Sequence, residues 1–102
     1  MEQNYPNPFN SATQIKFYIG SAGSSIISVD GEEDIVSVTL KIFDIIGNEV
    51  EVLFNKAVLP GEYKVIFEAS NLPSGVYFYQ LQTYSNGQNR RNYITKKMIL
   101  LK

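Results

Sequence analysis

Asn71-Leu72-Pro73-Ser74-Gly75-Val76-Tyr77-Phe78-Tyr79-Gln80-Leu81-Gln82-Thr83 sets a turn and a glycine ahead of the longest clean strand pattern in the chain. Side chains of an extended strand alternate between faces. Tyr77, Tyr79, Leu81 and Thr83 therefore share one side, and Val76, Phe78, Gln80 and Gln82 the other. Aromatic residues in this period-two alternation predict a strand of an all-β domain.

Downstream, Ser85-Asn86-Gly87-Gln88 contains Asn-Gly, the strongest short-range hairpin signal, and residues 91–101 return as a final strand. Upstream, residues 62–68 place Tyr63, Val65 and Phe67 inside and Lys64, Ile66 and Glu68 outside. Residues 35–44 read as a strong strand, with Val36, Val38, Leu40 and Ile42 facing one way and Ser37, Thr39, Lys41 and Phe43 the other. Gly47, in Asp44-Ile45-Ile46-Gly47-Asn48, is placed for the left-handed residue of a bulged hairpin turn. Residues 49–54 alternate back as the partner strand, and residues 55–60 form a short connection closed by the turn pair Pro60-Gly61.

Near the start, residues 13–19 point Ile15, Phe17 and Ile19 toward a core. Tyr5-Pro6-Asn7-Pro8-Phe9 precedes them as an extended entry that Tyr5 and Phe9 are expected to anchor by packing. Residues 20–34 are the least regular: a Gly/Ser loop, a short strand at Ile26-Ile27-Ser28-Val29, and the acidic run Asp30-Gly31-Glu32-Glu33-Asp34. About seven strands, with turn signals every 8–12 residues or so, predict a seven-stranded antiparallel sandwich. Leu72-x-x-Gly75-x-Tyr77 matches the tyrosine corner of immunoglobulin-like β-sandwiches, where a tyrosine bonds its hydroxyl back to the backbone just upstream.

Composition bounds the function. At 102 residues, residues 1–102 form one domain that buries roughly two-thirds of its unfolded surface. The chain is 44% hydrophobic, too apolar for disorder. A net charge of −1 argues against nucleic acid, which needs a basic face. No apolar run is long enough for a transmembrane segment. Met1-Glu2-Gln3-Asn4 lacks the marks of a signal peptide, so the chain reads as cytosolic or as a piece of something larger. With no cysteine and no histidine, disulfides, thiolate metal sites, Ser-His-Asp and Cys-His chemistry and the commonest metal ligand all fall away.

Neither an enzyme nor a cofactor is expected. Glu49 and Glu51 alternate with Val50 and Val52, marking a solvent face rather than an acid pair in a cleft. The run from Asp30 to Asp34 reads either as a calcium loop or as a solvated acidic turn. Tyr18, Phe43, Phe78, Tyr84 and Tyr93 are candidates for outward positions, either as a sugar platform or as ordinary cross-strand pairs. Five of the nine basic residues (Arg90, Arg91, Lys96, Lys97 and Lys102) lie in the last thirteen positions, around Met98-Ile99-Leu100-Leu101. That strand is either a lysine-guarded edge or a strand offered to another protein.

Several segments together resemble the type A C-terminal sorting domain of the type IX secretion system of Bacteroidota-like bacteria. Asn4-Tyr5-Pro6-Asn7-Pro8-Phe9-Asn10, with Thr13-x-Ile15-x-Phe17 behind it, is similar to the family's start. Leu40-Lys41-Ile42-Phe43-Asp44-x-x-Gly47-x-Glu49-Val50 is similar to a first central motif. Pro60-Gly61-Glu62-Tyr63 through Leu72-Pro73-Ser74-Gly75-Val76-Tyr77-Phe78-Tyr79-x-Leu81 is similar to a second. Lys96, Lys97, Met98, Ile99, Leu100, Leu101 and Lys102 resemble the closing basic-apolar signal. The chain departs from the family at Ser11-Ala12-Thr13 and in the longer stretch of residues 20–34.

The resemblance implies an address label. Such a domain ends a secreted cargo protein, folds in the periplasm, and is read by the outer-membrane secretion translocon. A sortase-like peptidase then removes it, leaving the cargo at the cell surface. Residues 96–102 are implied as the export signal, and Tyr5, Pro6, Asn7, Pro8, Phe9, Asp44, Gly47, Gly61, Leu72, Gly75 and Tyr77 as the structural motif. A second reading is an immunoglobulin-like adhesion, carbohydrate-binding or spacer module, similar to the domain of flagellar hook-capping proteins.

Overall fold

The computed structural model describes residues 1–20, 35–85 and 90–102. Six strands run through them: β1 (Ala12–Ile19), β2 (Val36–Asp44), β3 (Glu49–Val58), β4 (Gly61–Glu68), β5 (Gly75–Ser85) and β6 (Arg90–Leu100). β1 and β4 pair as one antiparallel sheet, and the other has the order β3-β2-β5-β6, antiparallel throughout. The all-β expectation is met, and six strands stand where about seven were expected. The seventh, at residues 26–29, lies outside the described residues, as do the acidic run of residues 30–34 and the Asn86-Gly87 turn.

The two sheets meet across one core. Ile15, Phe17 and Ile19 of β1 and Phe67 of β4 pack with Val36, Val38, Leu40 and Ile42 of β2, Tyr77, Tyr79 and Leu81 of β5, and Met98 and Leu100 of β6. Those in β1, β2, β4 and β5 follow the period-two reading of their strands, and β6 adds Met98 and Leu100 as its inward face. Fully burying a side chain of this size contributes roughly 1.5–3 kcal/mol, so the alternation largely dictates which face turns inward. Phe17 ties the layers together, stacking on Tyr63 at 5.6 Å and meeting Phe54 of β3 edge-on at 5.5 Å.

β3 departs from its predicted form in two ways. It continues through residues 55–58, where a connection was expected, because Val36 still pairs with Val58 and Leu40 with Phe54. It is also bulged twice: Leu53 is the extra residue between Leu40↔Phe54 and Lys41↔Val52, and Val50 is extra between Ile42↔Glu51 and Phe43↔Glu49. Each bulge reverses the facing of the residues beyond it. Glu49 and Glu51 are exposed as expected, yet Val52 is exposed too.

Two tyrosines brace strand starts. The Tyr77 hydroxyl donates to the Pro73 carbonyl at 2.7 Å, which is the predicted corner, and Gly75 has φ +156°. The Tyr63 hydroxyl donates in the same way to the carbonyl of Leu59, four residues upstream. The same Gly-x-Tyr spacing stands at Gly61-Glu62-Tyr63, a signal the sequence reading passed over.

Candidate functional site

Residues 1–10 form an arm laid along the closing strand. Phe9 is buried, makes a parallel bridge to Leu100, and tilts against Phe67 at 6.1 Å. Tyr5, expected to pack beside it, is instead 80% exposed. Its neighbour Asn4 takes the inward position, because there it meets polar partners that a phenol ring could not satisfy. The Asn4 amide nitrogen donates to Thr13 Oγ1 at 3.0 Å and to the Pro6 carbonyl at 3.1 Å, and Thr13 Oγ1 donates to that same carbonyl at 2.9 Å. Asn4 N–H donates to the Tyr79 hydroxyl at 2.8 Å, and that hydroxyl donates to the Glu2 carbonyl at 3.0 Å.

A second attachment is electrostatic. The Tyr18 hydroxyl donates to Glu2 at 2.7 Å, and with Lys16 nearby it holds the Glu2 carboxyl below the usual carboxylate range. Both groups are exposed, so the pair orients the arm more than it stabilises it.

The arm occupies one half of β6's outer edge. Ile99 N–H donates to Asn7 Oδ1 at 3.0 Å, Phe9 N–H donates to the Ile99 carbonyl at 2.9 Å, and Leu101 N–H donates to the Phe9 carbonyl at 2.8 Å. Gln3 Nε2 donates to the Lys97 carbonyl at 2.8 Å. Beyond the strand, Lys102 N–H donates to Ser74 Oγ at 3.0 Å and its ammonium to the Ser70 carbonyl. The closing run is thus held from both sides, β5 on the inside and the arm on the outside.

Its side chains divide sharply. Met98 and Leu100 are fully buried, Lys96 and Ile99 are half-buried, and Lys97, Leu101 and Lys102 are exposed. Residues 90–102 carry five cations and no anion, while residues 1–89 carry four cations and ten anions. The ion pairs of the fold, Lys16 with Glu2 and Glu62, Lys64 with Glu62, and Lys41 with Glu49, leave Arg91, Lys96, Lys97 and Lys102 without an acidic partner among the described residues. Arg91 instead lies over the Tyr84 ring at 4.7 Å.

The remaining motif residues gather at the same end, where Asp44 pairs with Tyr77 and Gly75 with Leu100. Asp44 Oδ1 accepts from Ile46 N–H at 3.1 Å and Asn48 N–H at 2.8 Å, closing a turn in which Gly47 has φ +93°. Leu72 N–H donates to the Ala69 carbonyl at 3.0 Å. Asp44, Ile45, Ile46, Leu72, Gly75 and Tyr77 help line a shallow apolar groove of about 350 Å³. Gly61 alone stands at the opposite end, paired with Ile19. Sequence reasoning gave no site role to Gln3, Asn4, Ser74 and Tyr79, each of which has a partner 28 to 94 residues away along the chain.

No match was found among curated proteins or among solved structures. The family described as the secretion system C-terminal sorting domain matches residues 3–100, from the arm through the last residue of β6. With the arm, the Asp44–Gly47 turn, the Tyr77 corner and the basic-apolar strand all in place, the chain belongs to the secretion system C-terminal sorting domain family of type IX secretion.

Proposed function

We propose that this domain is the export label of a secreted protein: the outer-membrane translocon reads residues 96–102, and a sortase-like peptidase then cuts the domain from its cargo. The cargo is joined at the N-terminal side, passes through the periplasm, and is delivered to the cell surface. On this reading the domain is a substrate and not a catalyst. The observation that carries it is the family match ending on an edge strand whose Met98 and Leu100 are locked inward while its lysines lack acidic partners among the described residues. A recognition element of this kind is rigid in backbone and free in charge, which suits reading by an acidic receptor surface. The finer fold we propose is a seven-stranded immunoglobulin-like β-sandwich, supported by the Tyr77 corner and the two facing sheets.

The test fuses residues 1–102 behind a signal peptide and a reporter in a host with this secretion system. Deleting residues 97–102 would strip Met98 and Leu100 from the core, so the informative variant is Lys97→Glu with Lys102→Glu, both exposed. Surface delivery of the parent and periplasmic retention of an equally stable variant are expected. Equal delivery of both, with matched thermal melts, overturns residues 96–102 as the signal.

The carbohydrate-binding reading keeps one observation. Ser37, Thr39, Gln82, Tyr84, Arg91 and Tyr93 line a groove of about 150 Å³ on the outer face of the larger sheet. Arg91 covers one face of the Tyr84 ring, which leaves less ring for a sugar to stack on. Clear affinity in a glycan-binding screen, lost in Tyr93→Ala, would move the function to this face.

A further inference from the structure

The outer edge of β6 is only half used. In an antiparallel ladder, alternate residues turn both backbone groups toward the same side. Ile99 turns both outward, to Asn7 and Phe9, so with the unshifted β5–β6 register Lys97, Thr95, Tyr93 and Arg91 turn outward as well. The arm covers residues 97–101. Residues 91–95 have no partner on that side among the described residues, and all five are exposed. That leaves an open edge about 17 Å long at ~3.4 Å per residue. Such an edge is a template for a further strand.

Charge selects the occupant. Residues 90–102 hold Arg90, Arg91, Lys96, Lys97 and Lys102 and no acidic residue. A second copy fits poorly. Antiparallel pairing centred on Tyr93 sets each Arg90 against the partner's Lys96, and parallel pairing sets like residues side by side. Like charges directly opposite one another are destabilising. The same cations favour an incoming strand that carries carboxylates.

We infer that residues 91–95 dock an extended acidic segment of another protein, which adds as a strand outside β6. The inference stands apart from the export reading, because it concerns the uncovered half of the strand and is tested on the isolated 102-residue chain. Arg91, Tyr93 and Thr95 supply the outward N–H and C=O groups, and the flanking cations set the preference for acid.

The experiment titrates the ¹⁵N-labelled chain with an acetylated nine-residue peptide alternating valine and glutamate. Two controls replace glutamate by lysine, or N-methylate the peptide throughout. We expect amide exchange at Arg91, Tyr93 and Thr95 to slow at least tenfold with the acidic peptide, and affinity to fall at least tenfold with either control. Tyr93→Pro removes one outward N–H at an edge position where proline is tolerated, and should abolish binding. Arg91→Glu, at an exposed site, keeps the fold and should shift preference toward the lysine peptide. Absence of slowing at those amides, equal binding of the lysine or N-methylated peptide, or an unshifted preference in Arg91→Glu overturns the inference. Protection of the same amides in the free chain, with concentration-dependent sedimentation, also overturns it and gives the edge to a second copy.

Discussion

The Tyr79 phenol lies within the apolar core and yet keeps two hydrogen bonds, accepting from Asn4 N–H and donating to the Glu2 carbonyl. Tyr79→Phe therefore leaves backbone groups of the arm short of a partner, at a cost of about 1–3 kcal/mol. Tyr77→Phe is expected to fall in the same range of about 1–3 kcal/mol through loss of the Pro73 bond, and urea denaturation measures both. No loss in Tyr77→Phe would remove the corner from the account of stability. Burial holds both phenols above the ordinary tyrosine range, and the Asp44 carboxylate adds to the effect at Tyr77. The folded protein thus keeps these protons longer than the unfolded chain does. Stability from this source is complete below about pH 10, where unfolded tyrosine titrates, and is lost as pH climbs through the folded values. Denaturation midpoints should be level between about pH 8 and 9 and fall above about 10, with a shallower fall in Tyr79→Phe.

At the scale of elements, the β2–β3 turn and the arm are where local and long-range chemistry part. Gly47 sits at φ +93°, where a Cβ meets nothing in space but the backbone disfavours it. Gly47→Ala should cost about 1–2 kcal/mol, read by thermal melting, and an unchanged melt would show that the turn relaxes freely. The arm is held by side chains that reach strand backbone. Asn7→Ala takes the partner from Ile99 N–H, so its amide exchange should accelerate while that of Leu81, deep in β5, stays slow. Equal acceleration at both would mean that the arm supports the whole sheet and not the closing edge alone. The bulges of β3 belong to this scale too. They turn Val52 out and allow Lys41 to reach Glu49 at 3.0 Å, an arrangement no periodic reading of residues 49–54 contains.

For the whole molecule, the arm is what closes the sheet at one end. A chain lacking residues 1–10 loses Phe9 from the core, where truncation of a buried phenylalanine alone costs about 3–5 kcal/mol, and bares the edge of residues 97–101. It should melt well below the parent and self-associate in sedimentation; a monomer of parental stability would deny the arm its part in the fold. The strands of this protein were legible in the sequence because burial follows a two-residue period: Val36, Val38, Leu40, Ile42, Phe67, Tyr77, Tyr79 and Leu81 all turn inward as their spacing demands. The Tyr77 corner and the Gly47 turn were legible for the related reason that their partners lie within four residues. The closing run was visible as charge beside an apolar stretch. Only the tertiary structure decided that Asn4 and not Tyr5 goes inside, that β3 bulges twice, and that Gln3, Asn7 and Phe9 cover one half of β6's edge while residues 91–95 remain open among the described residues. Those outcomes depend on hydrogen bonds between groups up to 94 residues apart, and no local pattern of side chains encodes where such a partner will stand.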